Sequence, residues 1–243
     1  MSMCKSVALS VCALAAMAGS SQGGVLFSGS SGSLAASAMF EVSGSGQLVV
    51  TLTNTSSADV TVPAEVLTAV FFDLTGPTES FTRDSGLLAP GSVVVYDPDG
   101  QPAGGVIGGE WAYASGALNI GAPGTRAYGI SSTGIGLFGP GDRFPGADLE
   151  PPTNPDGPQY GILSAGDDVA TGNGGITGSG GMIKNAAVFS LGNAGANFDL
   201  SRIQNVYFFY GTALGEGGFI GVPTPGAASL LGAAGLIGLR RRR

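Results

Sequence analysis

Apolar and polar residues alternate along several short segments of the chain. In the segment 47–54, Leu48, Val50 and Leu52 fall on one side of an extended backbone, and the residues between them fall on the other. A period of two is typical of a strand with one buried face. Similar runs of β-branched and aromatic residues, bounded by turn-forming residues, predict further strands at 67–74, 92–96, 185–191 and 203–211. The last of these contains four consecutive aromatics at 207–210, which predicts a central strand covered on both faces.

Two segments lack this alternation. The segment 98–181 is dominated by Gly-Gly, Pro-Gly and Pro-Pro pairs, which predict an elaborated, turn-rich face of the same domain. Within it, 128–134 and 160–166 echo each other, and we interpret them as two similar strand-to-turn pieces. The segment 23–32 is expected to be a flexible lead-in with a short edge strand at 25–27.

Composition sets the fold class. Gly and Pro supply 44 and 14 of the 243 residues, but enough large apolar residues remain to form a core. We therefore expect an all-β fold at 24–221: an antiparallel β-sandwich or jelly-roll-like single domain with long Gly/Pro-rich loops. A short C-terminal hydrophobic helix is expected after it.

The N-terminal segment has the features of a secretory signal peptide. Lys5 is the only charge before an apolar run at 7–17, and Ala16 and Ala18 provide an A-x-A cleavage site. We therefore predict a signal peptide at 1–23. Its removal would take away both cysteines of the chain, so we expect a mature protein without disulfides or thiolate chemistry.

The C-terminal segment 222–243 has three parts. Val222, Pro223, Thr224 and Pro225 come first, and the prolines favour an extended, accessible chain. The 18 residues of 222–239 carry no charge and reach about 27 Å as a helix, barely enough for a hydrocarbon core of roughly 30 Å. The final four residues are Arg240, Arg241, Arg242 and Arg243. Such a cluster is expected on the cytoplasmic side, which leaves the domain before it outside the cytoplasm. The segment is therefore expected to be a marginal, transient inner-membrane anchor.

Charge excludes several function classes. Without Lys5 and the four terminal arginines, the chain carries 5 basic and 17 acidic residues, a net charge of −12. The remaining basic residues are scattered, so a nucleic-acid partner is not expected. The chain has no histidine, which excludes Ser-His-Asp and Cys-His catalysis and imidazole zinc sites.

Carboxylates are the only remaining catalytic chemistry. Six of those in the turn-rich segment are the candidates: Asp142, Asp148, Glu150, Asp156, Asp167 and Asp168. A carboxylate pair could hydrolyse a glycosidic bond, but few aromatics are available to hold a sugar. Solvated carboxylates that cap turns are the preferred interpretation. The adjacent Asp167 and Asp168 are the candidate site for a weakly bound calcium ion, the one cofactor considered. The sequence at 97–100 predicts a β-turn.

Trp111 and Tyr113 occupy alternate positions and would share one face of a strand. We expect them in the core. The alternative is an exposed platform that stacks on sugar rings, as in carbohydrate-binding modules.

The three-part tail resembles the PEP-CTERM sorting signal, which exosortases of Gram-negative bacteria process. The segments 138–144, 160–162, 172–175 and 205–212 also resemble exosortase-dependent surface proteins that end in such a tail. Thr224 stands where that family usually has Glu, which leaves the exosortase subtype open. The resemblance implies two partners, the secretion translocon and an exosortase, and delivery to the cell surface or extracellular matrix.

Three functions are therefore considered. The first is a non-enzymatic surface or extracellular-matrix protein. The second is a carbohydrate-binding module or adhesin that uses the loops of 98–181 on an extracellular polysaccharide. The third is a carboxylate-dependent glycoside hydrolase, and we expect no catalytic residue of that kind.

Overall fold

The computed structural model describes residues 23–97 and 100–224, which form an all-β fold of two sheets. The strands, in chain order, are β1 (Val25–Ser31), β2 (Leu34–Val42), β3 (Leu48–Asn54), β4 (Leu67–Leu74), β5 (Thr82–Leu88), β6 (Val93–Val95), β7 (Ala112–Asn119), β8 (Thr125–Ser131), β9 (Ile162–Leu163), β10 (Met182–Lys184), β11 (Ala186–Gly192), β12 (Ile203–Tyr210), β13 (Gly218–Ile220) and β14 (Val222–Thr224). The α-helix is α1 (Gly174–Thr177), and short 3-10 turns lie at Pro63–Glu65, Ala103–Gly105, Gly108–Glu110, Pro140–Asp142 and Leu200–Arg202.

The first sheet has six antiparallel strands in the order β14, β1, β2, β3, β11 and β5. The second sheet branches at β4. β12 pairs along one side of β4, and both β8 and β9 pair along its other side, at Val70↔Ile130 and Leu67↔Ile162. β7 extends the sheet from β8, β10 and β6 extend it from β9, and β13 lies beyond β12.

The two sheets share one core. The rings of Phe40 on β2 and Phe72 on β4 lie 5.3 Å apart, and those of Trp111 and Phe189 lie 4.7 Å apart. One cluster of buried residues contains side chains from both sheets, so the sheets pack against each other.

The second sheet is also covered on its outer face. Phe208 and Tyr210 of β12 face the shared core, whereas Tyr207 and Phe209 join a separate buried cluster with Phe138 from the loop after β8. The prediction that the aromatic run at 207–210 is covered on both faces is confirmed.

The strands predicted at 47–54, 67–74, 92–96, 185–191 and 203–211 are confirmed as β3, β4, β6, β11 and β12. The turn-rich description of 98–181 was too broad, because β7 and β8 form a hairpin inside it, with a register shift between Ser115 and Leu118. Its two echoing pieces contain parts of β8 and β9, the two strands that share one side of β4.

The description of 23–32 as a flexible lead-in was wrong. β1 is a seven-residue strand, and it lies between β2 and β14 rather than at the sheet edge. Burial of Phe27 against Phe40 explains this order, since the side chain anchors the strand in the core. The predicted C-terminal helix and most of the predicted signal peptide lie outside the described residues.

No helix within 23–97 or 100–224 has the length and apolar character needed to cross a membrane.

Candidate functional site at the paired chain ends

The two ends of the described chain meet on one sheet edge. β14 pairs antiparallel with β1, and the register sets Thr224 opposite Leu26, Pro223 opposite Phe27 and Val222 opposite Ser28. Because the strands are antiparallel, the chain leaves β14 beside the point where it enters β1. The described chain therefore begins and ends at the same corner of the fold.

Between β13 and β14 the chain crosses from the second sheet to the first, and the local sequence explains how it does so. The amide of Gly221, between β13 and β14, donates to the carbonyl of Val206 at 2.8 Å. A Cβ at Gly221 would lie 2.7 Å from a ring carbon of Phe208, so only glycine lets the chain pass this closely from one sheet to the other. Pro223 is tolerated because an edge strand does not need an N–H on its outer side.

β14 is held at the surface. Val222, Pro223 and Thr224 are all exposed, and the hydroxyl oxygens of Thr224 and Ser28 lie 2.9 Å apart. The first three residues of the predicted sorting motif therefore form an accessible edge strand. Pro225, the four terminal arginines, and Ala16 and Ala18 of the predicted cleavage region lie outside the described residues.

The candidate calcium residues are already bonded to protein groups. The Asp167 carboxylate accepts from the Val60 amide at 2.8 Å and from the Tyr96 hydroxyl at 3.3 Å. Asp168 accepts from the Ala170 amide at 3.0 Å, and its own amide donates to Asp59. The sequence had not linked Asp59 to this loop, since more than 100 residues separate them.

Burial and these contacts also shift the pKa values of Asp167 and Tyr96. Burial raises the pKa of Asp167, although the Val60 amide opposes the rise. Burial and the charge of Asp167 raise the pKa of Tyr96 to about 12. Within 23–97 and 100–224, no group of three or more acidic residues is arranged to hold a metal ion. Asp167 and Asp168 thus pin two loops together.

Three other carboxylates of the turn-rich segment have different partners. Asp142 accepts from the Gly139 amide at 2.8 Å, Asp148 pairs with Arg143 at 2.9 Å, and Asp156 accepts from Gln159 at 2.5 Å. These contacts cap turns and pair charges locally, as the preferred interpretation predicted. The contacts of these three residues assemble no acid–base pair for glycoside hydrolysis.

Trp111 and Tyr113 lie in the core. Trp111 is fully buried, and its indole N–H donates to the Tyr160 carbonyl at 2.9 Å. Tyr113 is 5% exposed. The preferred core prediction is confirmed, and the two buried rings do not form the exposed platform of the sugar-stacking alternative.

Sequence reasoning missed Glu110. Its side chain is only 6% exposed, and its carboxylate accepts from the amides of Leu149 and Glu150 at 2.5 and 3.2 Å. Burial raises the pKa of Glu110, and those two amides oppose the rise. The carboxylate holds the loop at 149–150 against the turn before β7. No local pattern in the sequence predicts this contact.

No protein-family model matches the chain, and no curated protein or solved structure is significantly similar to it.

Proposed function

We propose that the protein is a non-enzymatic component of the cell surface or extracellular matrix, exported and then sorted through its C-terminal signal. The pairing of β1 with β14 is the observation that carries this proposal. It brings the segment that follows the predicted signal peptide next to the segment that precedes the predicted anchor. A domain with both connections at one corner can be held at a membrane by either end while the rest of it projects into solvent.

In this proposal, 1–23 is the signal peptide, 24–221 is one β-sandwich or jelly-roll-like domain, and 222–243 is the sorting signal. Residues 226–239 form the short hydrophobic helix, with Arg240–Arg243 on the cytoplasmic side. These 14 residues reach about 21 Å as a helix. The uncharged segment reaches the marginal length of about 27 Å only when Val222–Thr224 leaves β1, which suits a transient anchor that an exosortase-type enzyme removes.

The edge strand adds a step to this processing. A processing enzyme needs an extended segment in its active site, and Val222–Thr224 already pairs with β1. β14 therefore has to leave β1 before its backbone can be engaged. Only three residues of β14 pair with β1, and all three are exposed. Release of β14 therefore costs far less free energy than global unfolding.

The proposal is tested by fractionating a Gram-negative host that carries an exosortase and expresses the full chain. We expect the wild-type protein outside the inner membrane, and a variant with Arg240–Arg243 changed to Ala missing from that fraction. The matched control changes the same four residues to Lys, which keeps the charge and should keep the sorting. Equal release of all three proteins, or release that persists without the exosortase, contradicts the proposal.

A further inference from the structure

An open cleft lies where an edge of the first sheet meets an edge of the second. It has a volume of about 470 Å³ and is lined by Phe81, Thr82, Arg83, Tyr113, Ala114, Ser115 and Asp142. Arg83 lies on β5, Ser115 lies on β7, and Asp142 ends the turn at Pro140–Asp142. The volume falls within the range of about 300–1,000 Å³ that is typical of small-molecule sites.

The lining combines a buried aromatic base with a polar rim. Phe81 and Tyr113 are buried, whereas Thr82 and Ser115 are exposed. Arg83 and Asp142 are partly exposed and carry opposite charges, with 3.8 Å between the guanidinium and carboxylate. The Arg83 guanidinium also donates to the Gly141 carbonyl at 2.5 Å. The cleft therefore offers both charged donors and charged acceptors at one place.

Part of this hydrogen-bonding capacity is unused. The Arg83 guanidinium has five N–H groups that can donate. Within 23–97 and 100–224, its hydrogen bond to Gly141 and its ion pair with Asp142 both use the same nitrogen, Nη1. The buried Tyr113 hydroxyl has no hydrogen-bond partner in the same part of the chain. Burial raises the pKa of Tyr113, while the Ser115 hydroxyl and the charge of Arg83 oppose the rise.

We propose that this cleft, which we name the Arg83 cleft, binds one or two rings of a neutral sugar. A sugar presents neighbouring hydroxyl groups that donate and accept at once, which matches a guanidinium beside a carboxylate. The Asp142 charge disfavours an anionic ligand. The two aromatic residues of the lining are buried, which disfavours a peptide that needs pockets for apolar side chains. The cleft shares Tyr113 with the predicted platform and Asp142 with the loops of 98–181, but it does not use the fully buried Trp111.

Binding at the Arg83 cleft does not depend on sorting of the tail, so the two proposals fail separately. The test is calorimetric titration of the purified full chain with glucose, galactose, mannose, N-acetylglucosamine and their disaccharides. We expect binding of at least one of them with a millimolar dissociation constant. Arg83→Gln should weaken that binding about tenfold, as expected when hydrogen bonds to a charged group are lost.

Two further variants make the titration decisive. Arg143→Gln breaks the nearby pair with Asp148 outside the cleft and should leave the affinity unchanged. Ser115→Trp fills the cleft from an exposed position and should abolish binding while the melting temperature stays close to wild type. Absence of binding to every sugar, equal losses in Arg83→Gln and Arg143→Gln, or binding that survives Ser115→Trp would each overturn the proposal. So would binding confined to sulfate or to an extended peptide.

Discussion

The hydroxyl groups of Ser28 and Thr224 lie 2.9 Å apart, although 196 residues separate them in the sequence. Their contact joins the first and last strands of the described fold. It also ties the exposed motif that precedes the predicted anchor to the strand that follows the predicted signal peptide.

Ser28→Ala removes this contact. Because the pair is exposed, we expect a loss of less than about 1 kcal/mol in the free energy of unfolding. Hydrogen exchange of the Val222 and Thr224 amides should become several-fold faster, since β14 opens more often. Ser30→Ala is the matched control, on the same strand beyond the end of β14. Equal exchange rates in the two variants would show that the hydroxyl contact does not hold β14.

Trp111→Ala should destabilise the protein by about 3–5 kcal/mol, because it removes a fully buried ring packed on Phe189. Trp111→Phe keeps an aromatic ring in the core but leaves the Tyr160 carbonyl without its indole donor, at a cost of about 1–3 kcal/mol for the lost hydrogen bond. Chemical denaturation measures both. Trp111 is also the sole tryptophan, so its native fluorescence should be blue-shifted and protected from a soluble quencher. Ready quenching would place the ring outside the core.

Gly109→Ala should also be strongly destabilising. A Cβ at Gly109 would lie 1.7 Å from the carbonyl oxygen of Ala147, and backbone cannot yield as a flexible side chain does. We expect a loss of about 3 kcal/mol or failure to fold. Gly44→Ala is the control, since a Cβ there meets nothing within 4 Å. Thermal melts in which both variants match the wild type would contradict the close approach of Gly109 to Ala147.

Stability should fall as pH rises through the range where Glu110 titrates. Burial raises its pKa above the ordinary value of 4.5, and Asp148 adds to this while Arg143 opposes it. The folded state therefore binds the proton more tightly than the unfolded state, and stability is lost from pH 4.5 upward. Burial also raises the pKa of Asp167, so the stability that Asp167 contributes is likewise lost as pH rises.

Glu110→Gln should make the melting temperature less dependent on pH between 4.5 and neutrality. Asp199→Asn is the contrasting variant, because its hydrogen bonds to Ser201 lower the pKa of Asp199. The stabilisation from Asp199 is lost only as pH falls, so this substitution should leave the slope above pH 4.5 unchanged. A slope equal to wild type in Glu110→Gln would contradict the role assigned to its burial.

The sequence predicted strands wherever large apolar residues carry the alternation. β3 and β4 were found because Leu48, Val50 and Phe72 supply a clear pattern. β2 was missed because its inward positions include Ala36 and Ala38, whose small side chains give a weak signal. An alternation in 34–42 that ends on Phe40 was present and could have revealed it.

Glycine concealed other strands for a steric reason. Gly129 lies inside β8, where a Cβ would come within 2.6 Å of the Phe71 ring, so the residue that suggests a turn is required by packing. The cleft was beyond prediction. Arg83, Ser115 and Asp142 come together only because two sheet edges meet, and the local sequence around each residue does not predict this.

The intact mass of the protein recovered from the surface of an exosortase-bearing host tests the central claim most directly. We predict a mass that lacks both the N-terminal signal peptide and the segment ending in Arg240–Arg243, with β1 and most or all of the domain up to 221 retained. A surface protein whose mass includes the hydrophobic segment and all four terminal arginines would contradict it.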